Sequence, residues 1–116
     1  MMIMKLVRTG VYARALKRLS KLGATRADVE AMEDAIAFAP ETGEVIPGGG
    51  GLRKMRFAYG QVGKRGGGRT IYYALLSDGV IYLITAYAKV DKSDLTAEET
   101  RLFKALVKEL NDVRKN

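Results

Sequence analysis

Two runs of β-forming residues, Arg69 to Leu76 and Val80 to Ala88, are separated only by Ser77-Asp78-Gly79. Three turn-forming residues between two such runs predict an antiparallel hairpin. Both runs are apolar on consecutive positions: Ile71, Tyr72, Tyr73, Ala74 and Leu75 in one, Ile81, Tyr82, Leu83 and Ile84 in the other. Side chains alternate between the two faces of a strand, so such runs need cover on both faces or a central place in the sheet. The hairpin therefore needs more strands beside it or helices packed over it.

The flanking sequence supplies both. Ile3 to Thr9 reads as a short strand. Val11 to Leu22 repeats Tyr12, Ala15, Leu16, Leu19 and Leu22 at helical spacing, with Arg14, Lys17, Arg18 and Lys21 outward and Gly23 as the stop. Thr25 can cap a second helix with Asp28 and Glu30 in its first turn; its stripe is Val29, Met32, Ile36 and Phe38, and Pro40 closes it. Thr42-Gly43 and Pro47 to Gly51 are loop or turn signals, Leu52 to Tyr59 reads as a strand, and Gly60 to Gly68 as a loop. Thr96 and Glu99 form a capping box ahead of a helix with Leu102, Phe103, Leu106, Val107, Leu110 and Val113 on one face. The expected fold is α+β: one domain over residues 1–116, with an N-terminal helical hairpin on a small, mostly antiparallel sheet and a C-terminal helix.

The chain has neither cysteine nor histidine, which removes disulfides, thiolate metal sites and the usual imidazole base. No metal and no small-molecule cofactor are expected. The apolar N-terminus is broken by Lys5 and Arg8, too soon for a membrane span or a signal peptide, so a cytoplasmic protein without a membrane partner is the simplest expectation.

Net charge is +7, which biases the chain toward polyanions. Its distribution says more. From Val45 to Ser77 there is no acid, while Arg53, Lys54, Arg56, Lys64, Arg65 and Arg69 fall there. A merely solvated surface intersperses both signs, because like charges in proximity cost free energy. Alternation along Leu52 to Tyr59 puts Lys54 and Arg56 on one face and Met55 and Phe57 on the other. With Arg69 opening the next strand, and Tyr87 and Lys89 ending the last, these side chains can converge on one anion-binding patch. The plain alternative for Tyr73 and Tyr82 is core aromatic. The Gly60 to Gly68 loop is no phosphate-binding P-loop, since Arg65 follows Lys64 where serine or threonine is needed and a strand follows where a helix is needed. It suits a basic loop following a phosphate backbone.

These residues resemble a known family. Val45-Ile46-Pro47-Gly48, Gly50-Gly51-Leu52-Arg53-Lys54-Met55-Arg56-Phe57 and Gly63-Lys64-Arg65-Gly66-Gly67 are similar to blocks of the HigB-type toxins of the RelE superfamily. So are Arg69-Thr70-Ile71-Tyr72-Tyr73, Ile81-Tyr82-Leu83 with Thr85-Ala86-Tyr87-Ala88-Lys89, and Lys92-Ser93-Asp94-Leu95. The resemblance implies the toxin of a type II toxin–antitoxin pair, a ribosome-dependent endoribonuclease that cuts messenger RNA in the ribosomal A site. It also implies a cognate antitoxin, commonly of helix-turn-helix type. Matched to the motifs, Arg69 would be the main phosphate-stabilising arginine, Lys54 and Arg56 the paired strand cations, and Lys89 and Tyr87 the late active-site groups. Arg53, Lys64 and Arg65 would contact RNA. The sequence departs from the family at Val90, often asparagine there, at Gly68, often larger, and in having no tyrosine after Tyr87. The implied chemistry is metal-free attack of a 2′-hydroxyl on the adjacent phosphorus, with a lysine or a tyrosine as base. The readings from other classes are a non-catalytic RNA-binding or transcription-accessory protein using the same basic patch, and a plain phosphate-ligand domain.

Overall fold

The computed structural model describes residues 4–61, 63 and 67–115. In chain order the elements are β1 (Lys5–Arg8), α1 (Gly10–Lys21), α2 (Arg26–Phe38), β2 (Glu44–Val45), β3 (Arg53–Phe57), β4 (Gly68–Leu75), β5 (Val80–Ala88) and α3 (Ala97–Lys115). The strands form one sheet in the order β1-β5-β4-β3-β2. Neighbours are antiparallel except β1, which runs parallel to β5; the α1–α2 hairpin links β1 at one edge of the sheet to β2 at the other. The fold is the expected α+β arrangement.

β4 and β5 are the central strands, as their two-faced apolar sequences require. On one face Tyr72, Ile81, Leu83 and Ala86 pack with Tyr12 and Leu19 of α1 and Met32 and Ile36 of α2. On the other, Ile71, Val80, Tyr82 and Ile84 pack with Val107 of α3, flanked by Phe103, Leu106 and Leu110. The hairpin turn is a single 3-10 turn, Leu76–Asp78, closed by Gly79 in the left-handed region at φ 67°.

The helix ends are fixed by side chains. Thr25 Oγ1 accepts from the Asp28 amide at 3.1 Å while the Asp28 carboxylate accepts from the Thr25 amide at 2.9 Å, a reciprocal cap. Thr96 and Glu99 do the same for α3, at 3.0 and 2.9 Å. Between α1, α2 and β1, the buried Glu33 carboxylate accepts from Arg8 Nε at 2.9 Å, Arg8 Nη2 at 2.7 Å and the Tyr12 hydroxyl at 2.8 Å.

Three details differ from the sequence reading. β2, two residues long, lies between the two loop signals, where the sequence predicts no strand, because two ladder pairs leave no periodicity to read. Phe38, the last residue of α2, is 87% exposed. Leu102 and Val113 are also exposed, since α3 covers the sheet with a narrower stripe than its sequence offers.

Candidate active site

β3, β4 and β5 bring together Lys54, Arg56, Arg69 and Tyr87, four of the five catalytic candidates. Arg56 lies opposite Arg69, and Arg69 opposite Tyr87, so the three form a row across the sheet. Opposed Cα atoms in antiparallel ladders are about 5 Å apart, and Lys54, two residues along β3, is one diagonal neighbour, about 7–8 Å, from Arg69. The ladder places all four on the face that α3 covers: Lys54 pairs with Ile71, and Ile71 and Tyr87 belong to the core on that side. Met55 and Phe57 face the helical hairpin.

Two arginines directly opposed across a ladder cost free energy rather than stabilise the sheet. Arg69 is also buried, 6% exposed, with Nη1 donating to the Gly68 carbonyl at 2.9 Å. Gly68 explains itself: a Cβ there would lie 2.3 Å from the Phe57 ring, which packs over the bare backbone where β4 begins.

Tyr87 reaches this face because β5 carries a bulge. Ile71 pairs with Thr85 and Tyr72 with Leu83, so Ile84 has no opposite residue. In an unbroken strand residues 82, 84, 86 and 88 would share a face and Tyr87 would point at the helical hairpin. The extra residue reverses the phase, putting Ala86 and Ala88 in the hairpin-side core and Tyr87 with Tyr82 on the other. The buried Tyr87 hydroxyl lies close to the Asp94 carboxylate but outside good hydrogen-bond geometry to any described residue. Burial first, then the nearby Asp94 carboxylate, push its pKa up to about 12, against a smaller opposing effect of Arg69.

Three groups that sequence reasoning did not assign to the site complete it. Lys54 Nζ pairs with Asp94 Oδ1 at 3.3 Å. Lys92 Nζ pairs with the Glu99 carboxylate at 2.5 Å and sits 5.4 Å from the centroid of the Tyr87 ring. Burial opposes ionisation of Asp94 but is outweighed by the Leu95 amide and the Lys54 ammonium, which hold the carboxyl below its usual range. Glu99 is lowered likewise, burial being overcome by Lys92 and the Thr96 amide. The signal for Lys92 and Asp94 was their place in a family block; Glu99 looked fully used as a helix cap.

The remaining candidates are placed differently. Arg53 does not join the row: it faces the hairpin side, with Nη1 donating to the carbonyls of Glu41 at 3.1 Å and Gly43 at 2.7 Å, so it anchors the segment leading into β2. Lys89 follows β5 in a turn, its amide donating to the Gly67 carbonyl at 2.8 Å beside the start of β4. Lys64 and Arg65 lie outside the described residues. Among the described residues no cluster of three or more acidic side chains gathers that could hold a metal ion, and no helix is long and apolar enough to cross a membrane.

The raised Tyr87 pKa has a consequence for stability. The folded phenol binds its proton more tightly than the unfolded one, whose reference is 10.0, so its contribution is complete below pH 10 and is lost as pH rises toward about 12. Alkaline unfolding followed by tyrosinate absorbance should show a loss of stability in that window that is smaller in Tyr87→Phe. An identical loss in the variant would mean Tyr87 is not buried as described.

The arrangement can bind a phosphate between fixed cations beside a phenol that stays protonated. A solved structure of the E. coli toxin RelE, a double arginine-to-alanine mutant in the free state, is similar in fold, with a TM-score of 0.52 at 20% identity over 79% of this chain and 90% of that one. Residues 30–116 match the family described as the RelE toxin of the RelE/RelB toxin–antitoxin system. This protein thus belongs to the RelE toxin family, the toxin half of a toxin–antitoxin pair.

Proposed function

We propose that the chain is a HigB-type toxin, a ribosome-dependent messenger RNA endoribonuclease built as one domain over residues 1–116 and working in the cytoplasm at the ribosomal A site. Its inhibitor would be a cognate antitoxin of helix-turn-helix type. The observation that carries this reading is the Arg56–Arg69–Tyr87 row across three strands, with Lys54 on its flank. Opposed arginines are a poor way to stabilise a sheet and a good way to hold a phosphate whose charge grows in a transition state.

In this scheme the 2′-oxygen attacks the adjacent phosphorus and the bond to the 5′-oxygen breaks, leaving a 2′,3′-cyclic phosphate and a 5′-hydroxyl. Arg69, Arg56 and Lys54 stabilise the phosphorane. Tyr87, with its pKa pushed up to about 12, keeps its proton at neutral pH and is suited to donate it to the departing 5′-oxygen rather than to act as base. The base then has to come from elsewhere in the cluster, with Lys89 at the end of β5 the remaining sequence candidate. Asp94 is exposed enough that exchanging its contact with Lys54 for RNA phosphate costs little, of order 0–1 kcal/mol. Lys64 and Arg65 would follow the RNA backbone.

The test is single-turnover cleavage on ribosomes programmed with messenger RNA, with the chemistry of the new ends determined. Wild-type protein should leave 5′-hydroxyl ends, and Lys54→Ala should cut at least tenfold more slowly, about 1.4 kcal/mol in the barrier. RNA that is bound but never cut would replace this reading with that of a non-catalytic RNA-binding protein.

A further inference from the structure

We infer that Thr9 is a positioning residue for the active site: its hydroxyl holds the β5 bulge in the form that turns Tyr87 onto the catalytic face. Thr9 follows β1, and its amide donates to the Leu83 carbonyl at 3.2 Å. Its Oγ1 lies 2.9 Å from the carbonyl of Ile84, the bulged residue, and 3.0 Å from that of Leu83, so one hydroxyl proton serves the two carbonyls at the bulge. The extra residue of a bulge loses its opposite number in the ladder, and its buried polar groups need another partner. Thr9 supplies one. The same oxygen accepts from the Tyr12 amide at 3.2 Å, capping α1, so the start of the helix and the phase of β5 are tied at one atom.

Without the bulge, β5 returns to strict alternation beyond Leu83 and Tyr87 exchanges faces with Ala86. The row then loses its phenol while Arg56 and Arg69 keep their places, since β3 and β4 do not depend on Ile84. The inference rests on the cleavage reading only for its rate prediction; the placement of Tyr87 is measurable without a ribosome.

Thr9→Val keeps the shape and removes the hydroxyl; Thr9→Ser keeps the hydroxyl. Thr25→Val removes the equivalent cap from α2, away from β5, and controls for lost stability alone. Tyr87 ionisation is followed by tyrosine-selective NMR, and cleavage by single-turnover rate and by the ribosome concentration giving half the maximal rate. In Thr9→Val the Tyr87 midpoint should move away from its wild-type value and the rate should fall at least tenfold with little change in half-saturation. Thr9→Ser and Thr25→Val should match wild type in both. A folded Thr9→Val with either an unchanged Tyr87 midpoint or an unchanged rate overturns the proposal, as does an equal shift in Thr25→Val. If wild-type protein does not cut RNA, the cleavage reading fails and the Tyr87 midpoint alone decides whether Thr9 positions it.

Discussion

Replacing Arg69 with alanine is expected to abolish growth arrest and to slow cleavage on programmed ribosomes by about 10²–10³-fold, the usual loss when one preorganised donor to a developing oxyanion is removed. Arg69 is the middle member of the row, between Arg56 and Tyr87, and it is buried, so its charge acts where water screens it least. Arg69→Lys should recover little of the rate, because an ammonium keeps the charge but not the planar fork that meets two phosphate oxygens at once. Circular dichroism and thermal unfolding of both variants separate chemistry from folding. A folded Arg69→Ala protein that cuts at the wild-type rate would remove Arg69 from the mechanism.

Glu33→Ala is expected to give the largest loss of stability, about 2–3 kcal/mol, the cost of leaving buried and charge-assisted hydrogen bonds unmade. The carboxylate is 8% exposed and the Tyr12 residue 0% exposed. Removing it leaves the Tyr12 hydroxyl with only the Met32 sulfur, at 3.7 Å. It also strips Arg8 of both its contacts to the carboxylate and unties α2 from α1 and β1. Arg8 is half exposed and can turn to solvent, which keeps the loss below that of a fully buried pair. For a chain of this size the melting temperature should fall by about 10–20 °C. Urea unfolding checks the value; a change below about 0.5 kcal/mol, the range of ordinary surface substitutions, would show the network to be incidental.

The charge pattern illustrates how far a linear reading goes. The acid-free stretch from Val45 to Ser77 pointed to a polyanion site, and three of its cations, Lys54, Arg56 and Arg69, do share a face with Tyr87. The segregation does not survive folding intact, however. Asp94, remote in sequence, folds back beside Lys54, while Glu99 pairs with its near neighbour Lys92. In the free protein Lys54 and Lys92 are each paired with a carboxylate. Arg53, adjacent to Lys54 in sequence, faces the other side of the sheet, and its guanidinium donates to backbone carbonyls.

What the sequence determined by itself was everything governed by local periodicity and short-range hydrogen bonding. The Ser77–Gly79 turn, the caps at Thr25 and Thr96, the doubly covered central strands and the split of Lys54 and Arg56 from Met55 and Phe57 all depend on residues within a few positions of one another. What only the tertiary structure decided was whatever needs a partner strand. A bulge at Ile84 exists only relative to β4, and it alone sets which way Tyr87 points. The two-residue β2, the parallel seat of β1 and the return of the Asp94 carboxylate to Lys54 are likewise contacts between distant segments. Such contacts are fixed by how the whole chain closes its core, and a local window carries no record of them.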